Sequence, residues 1–429
     1  MTSITLSPDA GIPLRYLNRH GLVAGATGSG KTRTVQTIVE QCSAVGIPTL
    51  ITDVKGDLSG ISKGFPVRFW DLFGEDGLPM KTSVHEMGQQ TLARLLGLNA
   101  TQEGIINICF RWCEDRESPL HGIKLFDIND LRAAVGNLLD YAAEIREKHG
   151  NVTAASVGAI QRAILNIEGQ GADALFGEPV LDVMDLLRVD KDGRGMVNLI
   201  SADRLLESRS LYSGFMIWLL MSLFTRLPEV GDAEKPKLVV IVDEAHMVFA
   251  DAPKILIETI ERIVRLIRSR GVGVYFASQN ALDIPEKVAA QLGNRVQHAM
   301  RAFTPNEHRA VKAVAKTFRQ NTGVDTEKAM TEMGTGEALV SVIGDGGVPT
   351  PVVRTRINLP SSQLEPIDML ERIALIRRDP LRHQYGKLYP TDQDAYVAFT
   401  ARLAAEANAE HAARRDRPSW RDETMGASA

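Results

Sequence analysis

Short apolar runs alternate along the chain with stretches whose apolar positions recur every three or four residues. Gly21 to Ala24, Pro48 to Asp53, Val67 to Phe73, Met196 to Ile200, Lys237 to Val242 and Gly271 to Ser278 are runs of the first kind. Continuous apolar runs of this length belong to strands covered on both faces, as in a parallel sheet. Between the first two runs, Val35, Ile38 and Val39 recur at helical spacing within Thr34 to Cys42. Strand, helix and strand in that order predict a right-handed crossover unit. The expected fold class is therefore α/β with a mostly parallel central sheet.

The texture changes from Ser83 to about Asp190. Leu92, Leu95 and Leu96, then Ile105, Ile106 and Ile108, then Leu131, Val135, Leu138 and Leu139, then Val157, Ile160, Ile164 and Ile167 all repeat with helical period. This predicts an all-helical insertion, ended by Gly193-Arg194-Gly195. Tyr212 to Arg226 reads as a buried helix. Pro253 to Arg270 reads as a long helix with its stripe on Ile257, Ile260, Ile263, Val264 and Ile267. Asp283 is the expected N-cap of a short helix with Pro285 in its first turn. Asn294 to Arg301 predicts a strand and Glu307 to Phe318 a helix. Ala338 to Ile343 and Val352 to Ile357 predict a hairpin around Gly344-Asp345-Gly346-Gly347. Residues 1–20 read as a lead-in that leaves no room for an N-terminal domain. Beyond Pro360 come helical patches, then an Ala-, Glu- and Arg-rich stretch from Phe399 to Arg417, either a solvated helix or a partly disordered arm. The expected division is 1–82 and 191–360 for the two parts of a nucleotide-binding core, 83–190 for the insertion and 361–429 for a C-terminal tail.

The first strand runs into Gly25-Ala26-Thr27-Gly28-Ser29-Gly30-Lys31-Thr32, with Arg33 following in the helix. Strand, glycine loop, Lys-Thr and helix form the full context of a Walker A motif. Glycines let backbone N–H groups converge on phosphate oxygens, and the helix N-terminus adds partial positive charge. Lys31 is placed to reach the outer phosphates and Thr32 to offer its hydroxyl to Mg2+. The apolar strand from Lys237 ends in Asp243-Glu244-Ala245-His246, a Walker B pattern whose acids face the crevice at the carboxyl end of a parallel sheet. Asp243 is expected to hold Mg2+ and Glu244 to polarise the attacking water. The strand from Gly271 ends in Ser278-Gln279-Asn280, and Gln279 is expected beside the γ-phosphate, where it orients water or senses the phosphate. ATP and Mg2+ are thus the expected cofactors.

Composition adds limits. The 429 residues carry a formal charge of −4, so no basic footprint announces a nucleic-acid partner. Three cysteines, Cys42, Cys109 and Cys113, make neither a disulfide framework nor a metal site and read as buried thiols. The N-terminus lacks the charged and apolar regions of a signal peptide. The longest apolar stretch, Phe215 to Phe224, is too short to span a bilayer. A cytoplasmic location without membrane contact is the expectation.

The order of these parts resembles the HerA/FtsK branch of P-loop ATPases, and more narrowly the bacterial HerA-like helicase family typified by YjgR. The residues carrying the likeness are Arg19 to Thr32, Asp53 to Gly60, Val67 to Gly74, Ala155 to Arg162, Leu266 to Gly273 and Gln291 to His298. The resemblance spans residues 12 to 358. It implies a RecA-like sheet, homo-hexameric rings with ATP between subunits, and, in better-known members, pumping of duplex DNA. Those members carry a β-barrel before the ATPase core, which this chain has no room for, and a His-Gly-Glu where this chain has Lys55-Gly56-Asp57. Asp57 takes either an acidic role near the metal or a capping role. Ring ATPases of this type complete the site with an arginine from the neighbouring subunit; Arg268 and Arg270 are the first candidates, followed by Arg295 and Arg301.

Two function classes share this site: a hexameric ATP-driven motor acting on DNA, and an NTPase switch or assembly factor acting on a protein partner. The loops Asp57 to Lys63 and Arg111 to Lys124, which the ring would turn toward its pore, are only sparsely basic. A metabolic kinase is disfavoured, because no acceptor base stands out and Glu244 directly after Asp243 is a hydrolase arrangement.

Overall fold

The computed structural model describes residues 2–202, 209–231, 233–250 and 254–385. The strands are β1 (Ser3–Ser7), β2 (Ala10–Pro13), β3 (Gly21–Ala24), β4 (Thr49–Asp53), β5 (Val67–Asp71), β6 (Leu78–Pro79), β7 (Val197–Ser201), β8 (Leu238–Val242), β9 (Val272–Ser278), β10 (Asn294–His298), β11 (Glu337–Ser341) and β12 (Val353–Arg356). The helices are α1 (Lys31–Ala44), α2 (Val84–Leu95), α3 (Ala100–Glu114), α4 (Ile128–Asp140), α5 (Ala142–Lys148), α6 (Ala154–Glu168), α7 (Arg209–Arg226), α8 (His246–Phe249), α9 (Lys254–Ile267), α10 (Glu286–Ala289), α11 (Pro305–Ala315), α12 (Thr326–Glu332), α13 (Met369–Arg378) and α14 (Arg382–Tyr385).

Ten strands form one sheet in the order β12-β11-β10-β3-β9-β8-β4-β7-β5-β6. From β10 to β6 every pairing is parallel, and β11 and β12 add an antiparallel edge. The central strands β3, β4, β8 and β9 are buried along their whole length, which is why β3, β8 and β9 read as near-continuous apolar runs and β4 keeps Leu50 and Ile51 between its threonines. Register brings Ala24 opposite Ser278 and Gln297, and Val242 opposite Phe276 and Thr52. The carboxyl ends of five strands thus line up along one edge of the sheet.

The stretch between β6 and β7 is helical from Val84 to Glu168 and then closes through short turns at Ala172–Ala174 and Val183–Leu187. Capping boxes at Asn99 with Gln102 and at Asp127 with Asp130 start α3 and α4. One apolar core extends from Ile4 in β1 through these helices to Tyr385. A smaller second core holds Ala299, Met300, α11, α12 and Leu339.

Two local expectations are corrected. The lead-in forms a hairpin, β1 with β2, whose Ile4, Leu6 and Ile12 are fully buried. Asp283 does not cap the following helix: Pro285 occupies the cap position of α10, and the Asp283 carboxylate accepts hydrogen bonds from Ser278 Oγ (2.6 Å) and the Asn280 amide (3.1 Å). The stretch from Phe399 to Arg417 lies outside the described residues. Among the described residues no helix is long and apolar enough to cross a membrane.

The far edge of the sheet is closed by the end of the described chain. Arg68 on β5 donates from Nε to Asp379 Oδ2 at 2.7 Å and from Nη1 to the Asp185 carbonyl at 3.2 Å; the Arg68 side chain is buried and that of Asp379 mostly so. The Tyr385 hydroxyl donates to Asp185 Oδ2 at 2.6 Å, and its ring packs edge-on against Trp70. Removing one partner of such a pair strands a buried charge. Asp379→Asn is expected to lower stability by about 3 kcal/mol, read as a shift of the denaturant midpoint; an unchanged midpoint would show that Asp379 does not hold Arg68.

Candidate active site at the carboxyl edge of the sheet

The glycine loop leaves β3 and enters α1 at Lys31, with Gly30 as the left-handed cap at φ 118°. Its shape is held from outside. The Gly25 amide donates to Ser278 O at 3.2 Å, the Ala26 amide to Ala299 O at 2.9 Å and the Gly336 amide to Ser29 O at 2.8 Å. Gly25 has φ 153°, and a Cβ there would stand 2.5 Å from the His298 Cβ. Only glycine fits between β3 and the exit of β10. Below the loop, His298 Nδ1 lies 2.9 Å from the Glu337 carbonyl and Nε2 lies 2.8 Å from Thr34 Oγ1. A carbonyl only accepts, so Nδ1 carries the proton and Nε2 accepts from the Thr34 hydroxyl. Burial lowers the His298 pKa to about 4, which keeps the ring neutral.

Lys31 is buried. Its Nζ donates to Gly25 O at 2.7 Å and Ala26 O at 3.3 Å, so the ammonium sits inside the curl of the loop. Burial lowers its pKa, with nearby Glu244 opposing. Thr27, Gly28 and Arg33 are exposed at the loop rim and first helical turn.

Four carboxylates gather beside Lys31 and Thr32 from the ends of β4 and β8. Asp53 is buried and accepts from the amides of Gly56 (2.9 Å) and Leu58 (3.2 Å), which folds the loop after β4 back over the sheet edge. Burial and the charge of Asp57 push its carboxyl up to about 6. Asp57 Oδ2 lies 3.4 Å from Thr32 Oγ1, and burial raises its pKa too. Asp243 is braced from beneath: its amide donates to Thr52 Oγ1 at 3.0 Å, and its carbonyl accepts from Tyr212 OH at 3.2 Å. Desolvation, with the adjacent Glu244 charge, pushes the Asp243 carboxyl up to about 7. Glu244 has a left-handed backbone, φ 44°, and a buried side chain. Its Oε1 takes an ion pair from Lys55. Its Oε2 lies 3.3 Å from His246 Nδ1, and neither atom has a hydrogen-bond partner among the described residues. Burial works against the Glu244 charge, but the Lys55 ammonium outweighs it and holds the carboxyl below its usual range.

This donor set fits Mg2+. A hydroxyl and several desolvated carboxylates are hard oxygen donors, and acids raised by burial and mutual repulsion gain when a divalent cation arrives. Thr32 and Asp243 would hold it, with Asp57 on the same side.

Gln279 is exposed at the end of β9. It shares a cavity of about 260 Å3 with Ala26, Thr27, Asn280, Arg301 and Glu307. Arg301 is exposed there, at its own chain's glycine loop. The other arginines lie elsewhere. Arg295 is spent on the carbonyls of Leu292 (3.2 Å) and Ala289 (3.1 Å). Arg268 and Arg270 form the turn that precedes β9, at the opposite end of the strand from Gln279, about 20 Å away. Arg270 Nη2 lies 3.6 Å from Glu229 Oε1, and its guanidinium sits 5.0 Å above the Phe224 ring. The structure therefore gathers Gly25 to Thr32, Asp243, Glu244 and Gln279 at one edge and leaves Arg268 and Arg270 far from the loop of their own chain. Sequence reasoning did not single out Tyr212, Thr52 or His298 as supports; none lies in a Walker motif, and only the three-dimensional neighbours reveal their roles.

A parallel sheet of this strand order with a glycine loop at its carboxyl edge defines the RecA-like P-loop ATPase fold. The chain belongs to the helicase HerA-like C-terminal family, whose model matches residues 3–64 and 62–428. It is 23% identical over 340 residues to the DNA import protein CedB of Sulfolobus acidocaldarius, covering 79% of this chain and 52% of that protein. It is 22% identical over 349 residues to the DNA double-strand break repair helicase HerA of the same organism, covering 77% and 63%. The chain thus spans between half and two thirds of the length of these relatives. Among solved structures, the bacterial conjugative coupling protein TrwB superposes with a TM-score of 0.63 at 13% identity, over 86% of this chain and 91% of that one. VirB4 of Thermoanaerobacter pseudethanolicus superposes with a TM-score of 0.55 at 14% identity, over 84% and 96%.

Gly25→Ala is expected to lower nucleotide affinity at least about tenfold, because the loop must move away from His298 to admit the methyl group. Titration with a fluorescent ADP analogue measures it, and unchanged affinity would show that the loop does not need this close approach.

Proposed function

We propose that the chain is a Mg2+-dependent ATPase that works as a homo-oligomeric ring, hexameric by family likeness, and moves or remodels DNA. The observation that carries the ATPase reading is the convergence of Lys31, Thr32, Asp243 and Glu244 on one sheet edge. The glycine-loop amides and Lys31 bind the phosphates. Thr32 and Asp243 hold Mg2+, which supplies charge neutralisation at the β- and γ-phosphate oxygens when bound. Glu244 orients and polarises the attacking water, and Gln279 contacts the γ-phosphate side. A plasmid coupling protein TrwB structure in complex with ADP and Mg2+, with a TM-score of 0.62, fits this cofactor pair.

The ring reading is supported by Arg268 and Arg270. They stand at the amino end of β9, away from their own loop, so neither reaches the nucleotide of its own chain. DNA as the substrate is supported by the relatives, a DNA import protein and break-repair helicases. A second reading, a switch acting on a protein partner, draws on charge. Lys63 is paired with Glu371 and Arg111 with Glu114, so two bases of the candidate pore loops already have acidic partners. The division into a core at 1–82 and 191–360, a helical insertion at 83–190 and a tail at 361–429 is part of this proposal.

Lys31→Ala is expected to abolish nucleotide binding, whereas Glu244→Gln binds ATP and loses turnover by about a hundredfold or more. Unchanged turnover in Lys31→Ala would sink the assignment. ATPase rate per molecule, measured against protein concentration with and without duplex DNA at two salt concentrations, tests the rest. A rate that climbs with concentration and again with DNA is the expected result. A rate that climbs with concentration and ignores DNA favours the protein-partner reading. A rate independent of concentration, with only monomer in sedimentation, removes the shared site.

A further inference from the structure

Lys55 lies outside the two Walker motifs, yet it is the residue that engages the carboxylate assigned to the water. Its loop is rigid in backbone: the Asp53 carboxylate holds the amides of Gly56 and Leu58, and Gly56 takes φ 70° to close the turn. The same loop brings Asp57 to Thr32, on the cation side of the glycine loop. Lys55 is therefore flanked by Glu244 on β8's end and by the Thr32 end of α1, and the charge of Lys31 is close enough to bear on it.

The two partners of the ion pair differ in freedom. The Glu244 side chain is 5% exposed and fixed by its left-handed backbone, while the Lys55 side chain is 44% exposed. Only the lysine can change partners without moving the sheet edge. A terminal phosphate lying over Lys31 carries more negative charge and more acceptor oxygens than one carboxylate. A flexible ammonium is a point charge that can follow such an anion. When it does, Glu244 is left with both oxygens free of protein donors, the condition in which it can accept a hydrogen bond from water.

We propose that Lys55 is a second phosphate-contacting lysine, which leaves Glu244 for the terminal phosphate of a bound nucleoside triphosphate and so frees the Glu244 carboxylate only when that phosphate is present. This deepens the ATPase reading and rests on it. It gives the Lys55-Gly56-Asp57 triplet two duties, with Asp57 at the cation side and Lys55 at the phosphate. A diphosphate, which lacks the terminal group, leaves the Lys55–Glu244 pair in place.

The test is made in the Glu244→Gln background of the full chain, where Lys55 has lost the carboxylate it pairs with and ATP itself can be used. Binding of ATP and of ADP, each with Mg2+, is measured by calorimetry with Lys55, with Lys55→Met and with Lys55→Arg. The expected result is about a tenfold loss of ATP affinity in Lys55→Met with less than about a twofold change for ADP, and retention of the ATP preference in Lys55→Arg. Equal losses for ATP and ADP, or no loss for either, would overturn the proposal. If the Glu244→Gln parent binds neither nucleotide, the ATP-site reading itself fails, and the two failures are told apart.

Discussion

A parallel sheet allows every strand to end on the same side, and this molecule depends on that constraint. Because β3 is in register with both β9 and β10, the glycine loop is fastened on two flanks: by Ser278 O on one and Ala299 O on the other. Because β8 and β4 lie next in order, their acids arrive beside the first turn of α1 without any long loop to carry them. The same geometry concentrates negative charge. Among the described residues Asp53, Asp57, Asp243 and Glu244 face Lys31 and Lys55, with Arg372 bearing on Asp53, and burial raises three of the four acids. Folding alone would not favour such a cluster; a divalent cation would supply the missing positive charge.

The fold was legible where burial was symmetrical. β3, β4, β8 and β9 are covered on both faces, so their sequences are near-continuous apolar runs that helices could not mimic at that length. The Walker motifs were legible for a related reason: a strand end has one chemical environment, so acids placed there have few other uses. What stayed hidden was carried by contacts across the chain. The β1–β2 hairpin has a period-two pattern in Ile4 and Leu6, but it is only five residues long and its partner is shorter. Asp283 looks like a cap in sequence, and Pro285 takes that position because the carboxylate is drawn to Ser278. The support of Asp243 by Tyr212 and Thr52 joins residues up to 191 positions apart and leaves no local trace.

The candidate arginines are divided between the two ends of β9. Arg301 stands at its own glycine loop, whereas Arg268 and Arg270 occupy the other end of β9. About 20 Å of strand separates its two ends, so no side-chain rotation carries the latter pair to the loop.

The closure of the far sheet edge has a bearing on how the molecule is made. Arg68 is paired with a carboxylate 311 positions further along the chain. At ribosomal rates of about 5–20 residues per second, roughly 15–60 s separate the appearance of the two charges. During that interval β5 presents a guanidinium without its carboxylate partner and the uncovered face of Trp70. The first half of the chain therefore leaves the ribosome with an unfinished, charged edge, which discourages premature pairing with another nascent sheet until the last helices arrive.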